Sequence, residues 1–258
     1  MPILHYLFVI LVSLAAGMIN ALAGGGTLIT FPSLLAIGLP AVSANVTNTL
    51  GLWPGSLGGT LAQANDLKGQ KKRLLISLPA GMLGGLTGGF LLLRTNEKLF
   101  SNLVPFLILL AASLLAMQTP LRMWLARRQE KGWARSIPEG WIFLPVFLGA
   151  IYGGYFGAGL GIILLAVLGL LLNDSLTHLN VLKQFIAFSA NFAAALLFVF
   201  SGKVVWSVAL VMMVGALLGG SMGGRLASRV KPDAFRWIVV TIGFIVGMIY
   251  LVKTYFLV

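Results

Sequence analysis

Two glycine-rich stretches carry the first chemical signal. Leu22–Pro32 reads LAGGGTLITFP and Tyr152–Gly161 reads YGGYFGAGLG, and neither contains a charged residue. Glycine interrupts a helix at the lowest steric cost. A helix broken in apolar surroundings exposes free backbone N–H groups and a positive dipole end, which favour anions. Gly24, Gly25 and Gly26 are therefore candidate anion-contacting backbone, and Thr27 is the expected cap of the helix that follows. Glycines also serve close helix packing. Three in a row do not follow small-xxx-small spacing, which favours the site.

A second constellation is NVTNTLGLWPG, Asn45–Gly55. It offers the hydrogen-bonding side chains Asn45, Thr47, Asn48 and Thr49 at the start of an apolar run, then a Trp-Pro-Gly break. A related stretch, NVLKQFIAFSA (Asn180–Ala190), puts Lys183 and Gln184 where the first has Asn48 and Thr49. Lys183 is the charge that falls clearly inside an apolar run. An ionisable residue there is a functional candidate, and a cation suits an anionic substrate. The alternative is a lysine that snorkels to the headgroups. Asn45 and Asn180 fit helix caps as well as ligands. Tyr152 and Tyr155 flank the second glycine stretch, either as substrate contacts or as interfacial belt residues. His178 reads as a loop residue.

Composition narrows the chemistry. Of 258 residues, 59% are hydrophobic and 9% charged, against roughly 25% charged in soluble domains. With mean hydropathy at +0.98, the chain reads as an all-α polytopic integral membrane protein. There is no cysteine and there are only two histidines, so neither a thiol nucleophile nor a metal centre is expected, and no cofactor is implied. The six acids, Asp66, Glu97, Glu130, Glu139, Asp174 and Asp233, fall between apolar runs, which argues against a carboxylate path for protons or metal cations. Lacking a buried carboxylate pair or a His beside a nucleophile, the chain does not read as an enzyme. The net charge of +12 reads as loop charge facing the cytoplasm, not as a nucleic-acid footprint.

Apolar runs fall at 3–23, 27–38, 42–64, 74–93, 100–118, 141–157, 160–172, 180–201, 204–224 and 236–256. The first has no Lys or Arg before it and is expected to stay in the membrane rather than be cleaved as a signal. A basic stretch at 119–140, with Arg122, Arg127, Arg128, Lys131 and Arg135, separates repeat 1 (1–118) from repeat 2 (141–258). LGGLTGGFL at Leu83–Leu91 aligns with LGGSMGGRL at Leu218–Leu226, a shift of 135 residues, and that shift also places Asn45 on Asn180 and Phe100 on Phe235. Each repeat is expected to open with a Gly-broken helix or hairpin, followed by three long transmembrane helices. The uncharged stretch 3–38 alone would run about 54 Å as one helix at ~1.5 Å per residue, more than the ~30 Å hydrocarbon core. Inverted repeats gather Lys68, Lys71, Lys72, Arg73, the five link residues and Arg225, Arg229, Lys231 and Arg236 on one side. Parallel repeats divide them, so the positive-inside rule favours inversion.

The pattern NALAGGGTLITFPSLLAIGLPAVSANVTNTLGLWPGSLGGTL (Asn20–Leu61), with the two-repeat layout, resembles the sulfite exporter TauE/SafE family, also called the 4-toluene sulfonate uptake permease family. The second half departs from it, having YFGAGLGIILLAVLG and no proline between that stretch and Pro232. The resemblance implies a secondary transporter of sulfite, an organosulfonate or another organosulfur anion in the bacterial cytoplasmic membrane. Its implied partners are the small anion and the lipid bilayer, with room for a homo-oligomer and none for nucleic acid. A passive anion channel and a scaffold subunit without transport remain the alternatives.

Overall fold

The structure is a computed structural model describing residues 2–22, 24–62, 67, 69–130, 138–226 and 232–256. Asp66, Lys68, Lys131, Arg135, Arg229 and Lys231 lie outside the described residues. The described residues form helices and no strand. In order these are α1 (Ile3–Leu22), α2 (Thr27–Ala36), α3 (Ala41–Ala62), α4 (Lys71–Arg94), α5 (Glu97–Ala116), α6 (Gln118–Glu130), α7 (Phe143–Tyr155), α8 (Leu160–Leu171), α9 (Leu176–Val199), α10 (Trp206–Leu226) and α11 (Pro232–Tyr255), with a 3-10 turn at Glu139–Ile142. Among them α1, α4, α5, α9, α10 and α11 contain spans long and apolar enough to cross a membrane. Each half opens as expected with a helix pair interrupted at glycines, α1–α2 and α7–α8, and continues with three long helices.

Three local expectations are corrected. The basic stretch at 119–140 is not a plain link, because its first part is the helix α6. Trp53-Pro54-Gly55 does not break α3, which runs through Pro54. Asn45 and Asn180 cap nothing: each stands one turn inside its helix, and α9 is capped instead by Ser175, whose hydroxyl accepts from the His178 N–H at 3.2 Å.

The packing exchanges partners between the halves. α1 lies along α10 and, equivalently, α7 lies along α4. The glycines of the two repeated motifs make this possible. A β-carbon at Gly88 would lie 2.0 Å from the carbonyl oxygen of Ile151, and one at Gly219 would lie 2.0 Å from that of Leu14. Backbone therefore meets backbone, the usual way helices associate where solvent supplies no hydrophobic drive.

Contacts between helix ends define two faces. At one, Arg73 Nε at the start of α4 donates to Glu139 at 3.1 Å, and its NH1 donates to Asp174, just before α9. Gln70 Nε2 donates to the His178 carbonyl at 3.3 Å. The start of α11 joins through Arg236, which donates to Thr119 of α6. At the other face, Glu97 at the start of α5 accepts from the N–H groups of Ala41 and Val42, which open α3. There too, Lys203 before α10 donates to the Leu93 carbonyl late in α4 at 3.3 Å. These are called the Arg122 face and the Glu97 face below.

His178 is not an idle loop residue. Its ring meets Asp174 at 2.8 Å. Burial pushes the Asp174 carboxyl up, but hydrogen bonds from Arg73 and His178 outweigh it and hold the group below the usual carboxylate value. A depressed folded pKa adds stability that is present above the unfolded pKa and lost as pH falls through the folded one. Asp174→Asn should therefore lower stability at neutral pH by roughly 1.5–3 kcal/mol. The gap to the parent should close as pH drops below the ordinary aspartate value of about 3.9, as read by unfolding in detergent across pH. Gly88→Leu should lower the unfolding temperature sharply, because overpacking costs about 1–3 kcal/mol or more. Gly140→Ala, with open space around it, should leave it unchanged in the same assay.

Candidate functional site

The first elbow turns the chain between α1 and α2. Gly24 and Gly25 have φ of +78° and +93°, values that residues with a β-carbon rarely adopt. Gly26 is needed for space instead, since a β-carbon there would lie 2.6 Å from the Ala16 carbonyl oxygen. Asn20 holds the turn: its Oδ1 accepts from the Gly26 N–H at 2.7 Å. Gly26, not Thr27, is the cap position, and no side chain caps α2. Thr27 is the first helical residue. At the second elbow Gly157 and Gly159 both have φ of +83°, and the Tyr152 hydroxyl donates across the turn to the Ala158 carbonyl at 2.7 Å.

Both elbows line one cavity of about 380 Å³. Gly24, Gly25 and Thr27 come from the first elbow and Gly157–Gly161 from the second. Thr49 of α3 and Lys183 and Gln184 of α9 line it as well. Trp53 and Phe188, stacked with centroids 5.3 Å apart, form an aromatic wall. The lining continues to Thr119, Arg122, Asp233 and Arg236 at the Arg122 face. Asp233 is 69% exposed there, so the cavity reaches the surface at that face. The volume falls in the range of small-molecule sites.

The remaining predicted site residues lie off the cavity lining. Gly26 is buried under Ala16 and Asn20. Asn45, buried, donates Nδ2 to the Tyr155 carbonyl at 2.8 Å. Thr47 accepts from the Val205 N–H at 3.0 Å. Asn48 accepts from the Thr30 hydroxyl. Tyr152 is used by its own elbow, and the Tyr155 hydroxyl meets Thr95 at 3.3 Å. Phe31 packs edge-on against Phe156 at 5.4 Å, and Phe100 against Tyr155 at 5.6 Å. Phe156 is thus both part of this aromatic cluster and a cavity wall.

Other residues were not foreseen. Asn20 and Trp53 look like ordinary helix residues, though the Trp53 indole N–H is buried with no partner among the described residues. Arg122 and Arg236 read as loop charges because they adjoin polar stretches. In the fold they approach each other: burial, then Arg236, push the Arg122 guanidinium below its usual value, against Asp233, which raises it. The hidden signal is that position 122 belongs to a helix, α6, whose buried Leu125 packs where a β-carbon on Gly169 of α8 would sit.

A bundle of membrane-length helices with two glycine elbows around a cavity lined by Lys183, Arg122 and Arg236 defines a multi-pass membrane protein. The chain belongs to the family described as Sulfite exporter TauE/SafE, which it matches over residues 9–250. It is 32% identical over 237 residues to a "Probable membrane transporter protein" of Haemophilus influenzae, covering 90% of this chain and 89% of that one. It is 26% identical over 239 residues to "Probable membrane transporter protein YfcA" of Escherichia coli K12, covering 90% and 84%. A third relative, "Probable membrane transporter protein ORF9" of a Sinorhizobium species, is 31% identical over 87% of this chain and 83% of its own length. No solved structure matches the chain. The protein is a membrane transporter.

If Asn20 sets the first elbow, Asn20→Ala leaves the Gly26 N–H without its acceptor. Thermal unfolding in detergent should report a loss of about 1–3 kcal/mol. An unchanged transition would exclude that role.

Proposed function

We propose that this transporter carries a small anion, sulfite or an organosulfonate, through the cavity between its elbows. One observation carries the reading. Lys183, the eighth residue of α9, lines that cavity, and no described residue forms an ion pair with it. A cation in such surroundings calls for a counter-ion, and the bound anion supplies it. The positive dipole ends at the starts of α2 and α8 add a favourable field from either elbow. The choice of a sulfur oxyanion or sulfonate rests on the family description; the named relatives support transport without specifying a substrate.

The two halves are read as inverted. α4, α9 and α11 begin at the Arg122 face, whereas α3, α5 and α10 begin at the Glu97 face, so equivalent helices run in opposite senses. In a bacterial inner membrane the Arg122 face, with Lys71, Lys72, Arg73, Arg127 and Arg128, would lie on the cytoplasmic side. The cavity would then open inward, with the aromatic cluster around Phe31 closing the far side. That closed floor favours a carrier, driven by a gradient, over a continuous channel and over an enzyme.

In proteoliposomes, Lys183→Gln should lower sulfite flux at least tenfold, in line with about 1.5–3 kcal/mol for a hydrogen bond to a charged group. Lys203→Gln, outside the cavity, should retain parental flux. Equal losses from the two substitutions would reject Lys183 as a ligand.

A further inference from the structure

We infer that the mouth of the cavity is a second anion site, built by Arg122 and Arg236, which captures the oxyanion before it reaches Lys183. This deepens the transport reading and rests on it. Arg236 is only 6% exposed, although Asp233 beside it is largely in solvent. Its NH1 donates to Thr119 and pairs with Asp233 at 2.8 Å, while its Nε is buried without a partner. Such an orphaned donor on a buried guanidinium costs free energy unless a ligand or water meets it. Arg122 comes from the opposite wall, on the connecting helix α6, and donates to Asn180 at 3.1 Å. It lines both the main cavity and an adjoining cleft of about 270 Å³ bounded by Leu165, Leu176 and Thr177. Two guanidiniums against one carboxylate leave the mouth net positive. Arg122 and Lys183 line the same cavity. Cations at the mouth lower the potential energy of an oxyanion at the entrance to the cavity.

The arrangement gives Asp233 a definite part. Its carboxylate pairs with Arg236 NH1 and offsets part of the positive charge of the mouth, which keeps the empty mouth from holding an anion too tightly. The connecting helix thereby contributes a binding group that neither repeat contains.

The test uses the full chain in phosphatidylcholine vesicles, with labelled sulfite and initial rates over a concentration series at two ionic strengths. Arg122→Gln should raise the half-saturating concentration roughly tenfold, leave the maximal rate within about twofold, and flatten the dependence on salt. Arg122→Lys should recover part of the loss. Asp233→Asn should move the half-saturating concentration the other way, and this variant keeps both arginines should Arg122→Gln fail to fold. Arg127→Gln, on the same helix but off the cavity lining, should match the parent. Coincidence of Arg122→Gln with Arg127→Gln, or a weaker apparent affinity in Asp233→Asn, overturns the capture site. So does an Arg122 effect seen only in vesicles containing phosphatidylglycerol, which would assign the arginine to a lipid headgroup. Loss of flux in Lys183→Gln with no Arg122 effect rejects the capture site alone. An Arg122 effect with unimpaired Lys183→Gln rejects the deeper site instead.

Discussion

A helix that stops at mid-depth in a bilayer must have its loose backbone groups covered by protein or water. Both elbows create such groups, and the rest of the molecule is arranged around that demand. Asn20 takes one N–H of the first elbow, and the Tyr152 hydroxyl takes one carbonyl of the second. Others are bonded within the turns themselves, such as the Leu28 N–H to the Gly25 carbonyl and the Leu160 N–H to the Gly157 carbonyl. The elbows are held in place because α1 lies against α10 and α7 against α4 with almost no side chain between them. Close packing and polar cavity are thus two consequences of the same glycine-rich sequence.

The asymmetry between the halves has a chemical reading. At the Glu97 face, Asn45, Thr47 and Asn48 are each engaged by backbone or side chain of a neighbouring helix. At the Arg122 face, the equivalent stretch of α9 carries Lys183 and Gln184, which line the cavity. The neutral groups of α3 are buried at small cost once bonded, whereas α9 sets a cation on the cavity wall, where burial without a partner would be costly.

Much of this was legible from residues alone. The ten apolar runs correspond to α1–α5 and α7–α11, and the glycine stretches lie at the two turns, because period and polarity report burial in lipid directly. Gly24, Gly25, Thr27, Thr49, Lys183 and Gln184, singled out by type and spacing, line the cavity. Asn45, Thr47 and Asn48 bond to protein off the lining, and a polar side chain in an apolar run looks the same whether it meets a ligand or a neighbouring protein group. Arg122 and Arg236 escaped notice for the opposite reason: charges beside polar stretches look like solvated loop charges until a neighbour covers them.

Composition, glycine placement and the internal repeat by themselves determined a membrane protein of paired halves, each with a break at depth. These are local properties, set by what each segment can bury and where it can bend. Which face is open, which polar groups bond to one another and which cations meet across the cavity were decided only by the tertiary structure. Those outcomes depend on contacts between helices more than a hundred residues apart, such as Asn45 with Tyr155 and Thr119 with Arg236. No local pattern encodes which of two distant partners a polar group will find.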